Sequence, residues 1–171
     1  IVKSQKLSNE TYESHYIGTK NFIEIIRKTN VKIKFFKANS GYIFKPRKGR
    51  ISIKCKLSEN KNPYIKTQKK VYQLIKKNRN TGLNLFNLIF LQIESPLRNK
   101  DFFIKKICIN SKNKKKIQVG NISNIRDYSW IEEICKGIFL ISKLNARDII
   151  LSTGIGISGK DALKIAYNEN K

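Results

Sequence analysis

The sequence predicts an α/β fold, a parallel sheet with helices on its faces. Three observations carry this. Helical and extended patterns alternate along the chain. The stretch from Leu83 to Ile93 is nearly continuous apolar sequence, the pattern of a strand covered on both faces. The 171 residues are 40% hydrophobic and 10% aromatic, enough for one domain with a real core and too apolar for wholesale disorder.

Each element has its own reason. From Asn9 to Asn30, Ile17, Ile23 and Ile26 recur at helical spacing, with Ser8 or Asn9 as the cap. Val31, Ile33 and Phe35 alternate with lysines, which reads as a strand broken by Ser40-Gly41. Ile51, Ile53, Cys55 and Leu57 alternate again, as a short strand or an extended loop. Asn62-Pro63 opens a helix to about Asn80, since proline is tolerated in a first turn. After the buried strand and Ser95-Pro96 come a helix from about Lys100 to Asn110 and a short strand from Lys116 to Val119. Ser129 to Lys143 reads as an amphipathic helix with Trp130 near its start, Asp148 to Ser152 as a strand, and Ser158 to Asn168 as a final helix. There is no internal repeat and no linker rich in Pro or Ser.

Composition excludes several classes. No apolar run reaches the roughly 18–20 residues of a membrane span. The first six residues lack the apolar core of a signal peptide, so a cytoplasmic protein is expected. The chain has no Met, so a cut, processed or misassigned start at Ile1 is the expectation. Cys55, Cys108 and Cys135 have no C-x-x-C spacing and no ligand cluster, so no metal site is expected and buried free thiols are. His15 stands alone as a surface or helix-flank residue.

The formal charge is +24, which favours weak, salt-sensitive contact with any polyanion. Specific nucleic-acid recognition is not expected. Base readout favours Arg, and the chain has 29 Lys against 7 Arg. Ile outnumbers Leu 28 to 12 and there are 18 Asn, so A/T-rich codons account for the bias.

Gly154-Ile155-Gly156-Ile157-Ser158-Gly159 spells G-x-G-x-x-G between a predicted strand and a predicted helix. Only twelve residues follow it, too few for a second strand and a ribose-binding acid. A chance match is the expectation.

Three stretches carry a resemblance. Asn62-Pro63-Tyr64 before a helix resembles the Tyr-x-x-x-Lys helix of short-chain dehydrogenases/reductases. Glu94-Ser95-Pro96-Leu97-Arg98 resembles the Glu-Ser-Pro-Arg-Arg turn of GDP-mannose 4,6-dehydratases. Val119-Gly120-Asn121 with Arg126-Asp127-Tyr128 resembles that family's Gly-Asn-x-x-x-x-Arg-Asp-Trp segment. Gly18-Thr19, Phe35-Phe36-Lys37-Ala38 and Ser152-Thr153-Gly154 extend the match in the family's order, from Val2 to about Tyr167. The resemblance implies a partial Rossmann-like sheet, the central to C-terminal part of an extended short-chain dehydrogenase/reductase. On this view residues 1–171 form a single partial domain that lacks the cofactor-binding βαβ at its front and the C-terminal end.

The family is a lyase of nucleotide-sugar metabolism that dehydrates GDP-mannose with bound NADP. The resemblance places Tyr64 as the base, Ser40 as a holder of the substrate hydroxyl, Arg98 near the cofactor phosphate and Arg126 at the GDP end. Two positions depart from the pattern. Gln68 stands for the lysine that would lower the tyrosine's pKa, and Tyr42 for the glutamate that handles the C5 proton and the C6 water. The expectation is an inactive chain. Two alternatives stay open: a non-catalytic module that binds sugar nucleotide or docks as a homo- or hetero-oligomer on dehydratase subunits, and a basic polyanion binder.

Overall fold

The computed structural model describes residues 6–47, 49–145 and 147–168. The chain forms two compact units, Ile1–Phe90 with Leu140–Leu151, and Leu91–Phe139 with Ser152–Lys171.

The first unit opens with a helical run. Helix α1 (Ser8–Tyr12) passes through a π-turn (Glu13–Ile17) into α2 (Gly18–Thr29). Leu7, rather than Ser8 or Asn9, stands at the N-cap, and no side chain caps it. Asn30 ends α2 in the left-handed conformation, a common helix stop. Strand β1 (Phe35–Ser40), helix α3 (Pro63–Arg79), β2 (Leu85–Phe90) and β5 (Asp148–Leu151) complete the unit. The strands form a parallel sheet in the order β1-β2-β5. β2 lies in the centre and five of its six residues are buried, which explains its unbroken apolar sequence.

Period-two alternation puts Phe35, Lys37 and Asn39 on one face of β1. That face meets the helices. Phe35 stacks on Phe22 of α2 at 5.7 Å between ring centroids, and Asn39 Nδ2 donates to the Gln68 carbonyl of α3 at 3.3 Å. Ile23 and Ile26 of α2, Ile75 of α3 and Leu85 of β2 make one core cluster. Ile43, Phe44, Tyr72 and Ile89 make another.

Asn62 caps α3, accepting the Tyr64 N–H on Oδ1 at 3.0 Å, with Pro63 in the first turn as expected. At its other end Arg79 clamps the sheet. Its guanidinium grips the Asp148 carboxylate at two points, one of them Nη1 to Oδ2 at 2.9 Å, and donates to the Leu85 and Arg147 carbonyls, both at 2.7 Å. Asn87 Nδ2 reaches Asp148 Oδ1 at 2.9 Å. Burial pushes the Asp148 pKa up. The hydrogen bonds from Arg79 and Asn87 and the guanidinium charge outweigh that and hold it below 3.8.

The second unit contains β3 (Gln92–Glu94), α4 (Phe103–Lys112), β4 (Ile125–Trp130), β6 (Gly156–Ser158) and α6 (Gly159–Asn168). Its sheet has the order β3-β4-β6, parallel in the first pair and antiparallel in the second. Helix α5 (Ile131–Lys143) is divided between the two units.

Several expectations need correction. Val31 and Ile33 lie outside β1 and are exposed, because pairing with β2 begins at Phe35. The apolar run 83–93 is two strands in two sheets, broken at Leu91. Residues 116–119 form no strand. Side chains take up carbonyls in and next to this segment, with Lys106 Nζ on Gln118 at 2.8 Å and the Tyr167 hydroxyl on Lys115 at 2.6 Å. Ser129 and Trp130 end a strand instead of starting a helix. Of the two readings for residues 51–57 the loop is the one formed, with Leu57 bridged to Phe44. The three cysteines are free, but Cys108 and Cys135 are exposed and Cys55 is half-buried.

Among the described residues no helix is long and apolar enough to cross a membrane, and no group of three or more His, Cys, Asp or Glu is placed to hold a metal ion.

Candidate functional site

The first unit gathers four of the singled-out residues around β1 and α3. Ser40 ends β1 and is nearly buried. Its N–H donates to Asn39 Oδ1 at 2.8 Å, and its Oγ accepts the Tyr42 N–H at 3.3 Å, so it caps the short 3₁₀ turn Gly41–Ile43. Tyr42 is exposed at the middle of that turn. A phenol there supplies no carboxylate.

Tyr64 and Gln68 lie one turn apart on α3, so they share a face. Tyr64 is half-buried. Gln68 is 3% exposed, and its Oε1 accepts no hydrogen bond. A buried acceptor without a donor is costly and uncommon. The neutral amide brings no positive charge to the Tyr64 face.

The sequence reading missed two neighbours. His15, at the centre of the π-turn, lies half-buried with its ring edge-to-face against Tyr64, 5.8 Å between centroids. It is therefore not a free surface histidine. Burial lowers its pKa from 6.5, and the nearby Lys37 charge lowers it further. Lys37, on the helix-facing side of β1, has its own pKa lowered by burial. Nothing in the sequence signals this. His15 fits no motif, and its place beside Tyr64 comes from the packing of the π-turn on α3.

The other two arginines lie in the second unit. Arg98 follows β3 and is held on three sides. Its Nη1 donates to the Ile93 carbonyl, its Nε lies 3.6 Å from Glu94 Oε2, and its guanidinium covers the Phe102 ring at 3.9 Å. Glu94 is buried, and burial pushes its pKa up against the opposing pull of Arg98. Arg126 lies on β4 opposite Ile157 of β6, and its Nη1 donates to the Ile125 carbonyl at 3.0 Å.

Asp127, next to Arg126, decides what the glycine-rich segment does. Its carboxylate accepts the Thr153 N–H at 3.0 Å, the Thr153 hydroxyl at 2.8 Å and the Gly154 N–H at 2.7 Å. The amides that would greet a phosphate already hold an internal anion. Gly156 belongs to β6, where a Cβ would meet Ile125 Cγ2 at 2.6 Å. At Gly159 a Cβ would meet the Ile122 carbonyl oxygen at 2.9 Å. These two glycines serve close packing within the unit, and the segment is not a dinucleotide loop.

Known proteins resemble this chain. The family model described as GDP-mannose 4,6 dehydratase matches residues 1–170. No curated protein sequence matches the chain. Among solved structures, dTDP-glucose 4,6-dehydratase from Bacillus anthracis str. Ames, in complex with NAD, superposes with a TM-score of 0.82 at 17% identity, over 92% of this chain and 52% of that one. UDP-N-acetylglucosamine 4-epimerase from Methanobrevibacter ruminantium M1, in complex with UDP-N-acetylmuramic acid, gives 0.86 at 14%, over 96% and 55%. RMD from Pseudomonas aeruginosa, complexed with NADPH, gives 0.86 at 13%, over 96% and 59%. At these identities the likeness shows the Rossmann-type α/β fold. The chain spans little more than half the length of each of these structures.

Proposed function

The chain belongs to the GDP-mannose 4,6 dehydratase family, and we propose that it is a GDP-mannose 4,6-dehydratase-like protein of nucleotide-sugar metabolism that binds without turning over. In this reading Tyr64 faces the sugar and Ser40 holds its hydroxyl, both in the first unit, and the family resemblance gives Arg126 of the second unit its own role toward GDP. The observation that carries the loss of turnover is Gln68. It is a buried neutral amide with an unpartnered oxygen where the chemistry asks for an ammonium. Tyr42, a phenol, leaves the carboxylate task undone as well. Each lost acid–base group costs roughly 10²–10⁴-fold in rate.

The family resemblance implies NADP, and the solved structures above with NAD or NADPH agree with a nicotinamide cofactor. The described residues do not fit it. Arg98, the one candidate for its phosphate, is met by Glu94, and Asp127 fills the amides of the glycine-rich segment.

Two measurements test this. Calorimetry with GDP-mannose is expected to show binding that Arg126→Ala abolishes. NADP-dependent consumption of GDP-mannose is expected to match that of a Tyr64→Phe control. Turnover clearly above that control overturns the inactivity, and binding indifferent to Arg126→Ala overturns the role given to Arg126.

A second reading rests on charge. Between Glu24 and Glu59 the chain has lysines and arginines and no Asp or Glu, and Lys45, Arg47, Arg50, Lys54 and Lys56 are exposed. That stretch suits a polyanion. Binding to unrelated DNA that vanishes as salt rises, with none to GDP-mannose, favours it.

A further inference from the structure

We propose that His15 is a positioning residue for Tyr64: from the π-turn its imidazole fixes the phenol ring, so that the ring's placement depends on whether the imidazole is charged. The proposal rests on the reading of Tyr64 as the ligand-facing phenol.

The geometry supports it in three ways. The π-turn Glu13–Ile17 is the one break in an otherwise α-helical run from Ser8 to Thr29, and His15 lies at its centre. Such breaks in helices often mark functional positions. The imidazole meets the Tyr64 ring edge-to-face at 5.8 Å, within the range of favourable aromatic contact. Tyr64 sits in the first turn of α3, where the Asn62 cap holds the backbone beneath the ring.

Charge supplies the dependence. From β1 the facing group is Lys37, and from α3 it is Tyr64 itself. Lys70 of α3 lies over Tyr12, one turn earlier on the helical run, at 5.0 Å. On its own run Glu13 is exposed. Proton uptake by His15 places a second cation beside Lys37 in a half-buried space. Burial and the Lys37 charge both oppose it. The neutral form therefore makes the contact at neutral pH, and a charge placed on the imidazole beside Lys37 changes the forces on the Tyr64 ring.

His15 is the single histidine of the chain, so its resonances are assigned without variants. The experiment follows them in the full-length protein from pH 5 to 8, together with the ¹³Cζ signal of Tyr64, identified by its loss in Tyr64→Phe. The expected result is a His15 midpoint below 6.5 that rises in Lys37→Gln, with the Tyr64 signal moving at the same midpoint. A Tyr64 signal that ignores the His15 midpoint overturns the proposal, as does a midpoint that Lys37→Gln leaves in place.

Calorimetry separates this outcome from the fate of the functional reading. GDP-mannose affinity is expected to fall at least about fivefold from pH 7.5 to 5.5 in the wild type, a coupling at the low end of the usual range. In His15→Phe, which keeps an aromatic edge but does not titrate, the fall is expected to stay under about twofold. A similar fall in both proteins counts against positioning. Absence of GDP-mannose binding at every pH defeats the functional reading, and the resonance data still decide the positioning.

Discussion

Asp127 shows how one side chain reassigns a motif. By spelling alone, residues 154–159 match a phosphate loop. One carboxylate on the neighbouring strand takes the Thr153 and Gly154 amides and turns the segment into a packed β-corner. A steric prediction follows at this scale. Gly159→Ala puts a Cβ against the Ile122 backbone, which cannot swing aside, and is expected to cost about 1–3 kcal/mol by urea denaturation. Gly120→Ala, where a Cβ meets nothing within 4 Å, is expected to change stability little. His15 has a residue-scale signature as well. Its folded pKa lies below the unfolded 6.5, so the folded state resists its protonation. Stability is lost as pH falls from 6.5 through the folded value. The sequence exposed the candidate residues through short motifs, Glu94 to Arg98 and Arg126-Asp127 among them. It did not expose Glu94 as the partner that neutralises Arg98, because spacing along a chain carries no information about charge pairing across a turn.

Elements with local causes were the readable ones. Helix α3 begins where Asn62-Pro63 predicts it, since cap and proline act within one turn. Strands β1 and β5 were found as apolar alternation or runs. β4 was lost inside a predicted loop and helix because Arg126, Asp127 and Tyr128 are polar and half-buried, and only pairing with β3 and β6 makes them a strand. The clamp from α3 to the sheet is an ion pair largely removed from solvent. The Arg79 and Asp148 side chains are 9% and 13% exposed. Removing one partner leaves the other buried and charged, so Arg79→Ala is expected to cost about 3–5 kcal/mol, read from the urea midpoint. The Asp148 pKa is depressed in the folded state. Its contribution is present in full above about pH 3.8 and disappears as pH falls through the lower folded value. Asp148→Asn should flatten that part of the acid transition.

Taken whole, the molecule carries +24, and this sets its ionic-strength behaviour whatever its ligands. Its affinity for DNA of any sequence is expected to fall linearly on a log–log plot against salt. The slope should shrink by about 0.9 for each phosphate-neutralising residue removed, and Arg47→Ala with Arg50→Ala tests the exposed stretch. A slope unaffected by that double change would assign the attraction to the surface at large. The fold class was legible from alternation alone. The second sheet was not, because its strands are short and come from distant parts of the chain. The chain passes between the compact units three times, after Phe90, Phe139 and Leu151. Neither unit can therefore be cut out as a continuous gene segment: a stop codon after Phe90 would strip β5 and the Asp148 counterion from the sheet that Arg79 closes, so the two halves must be inherited, expressed and studied together.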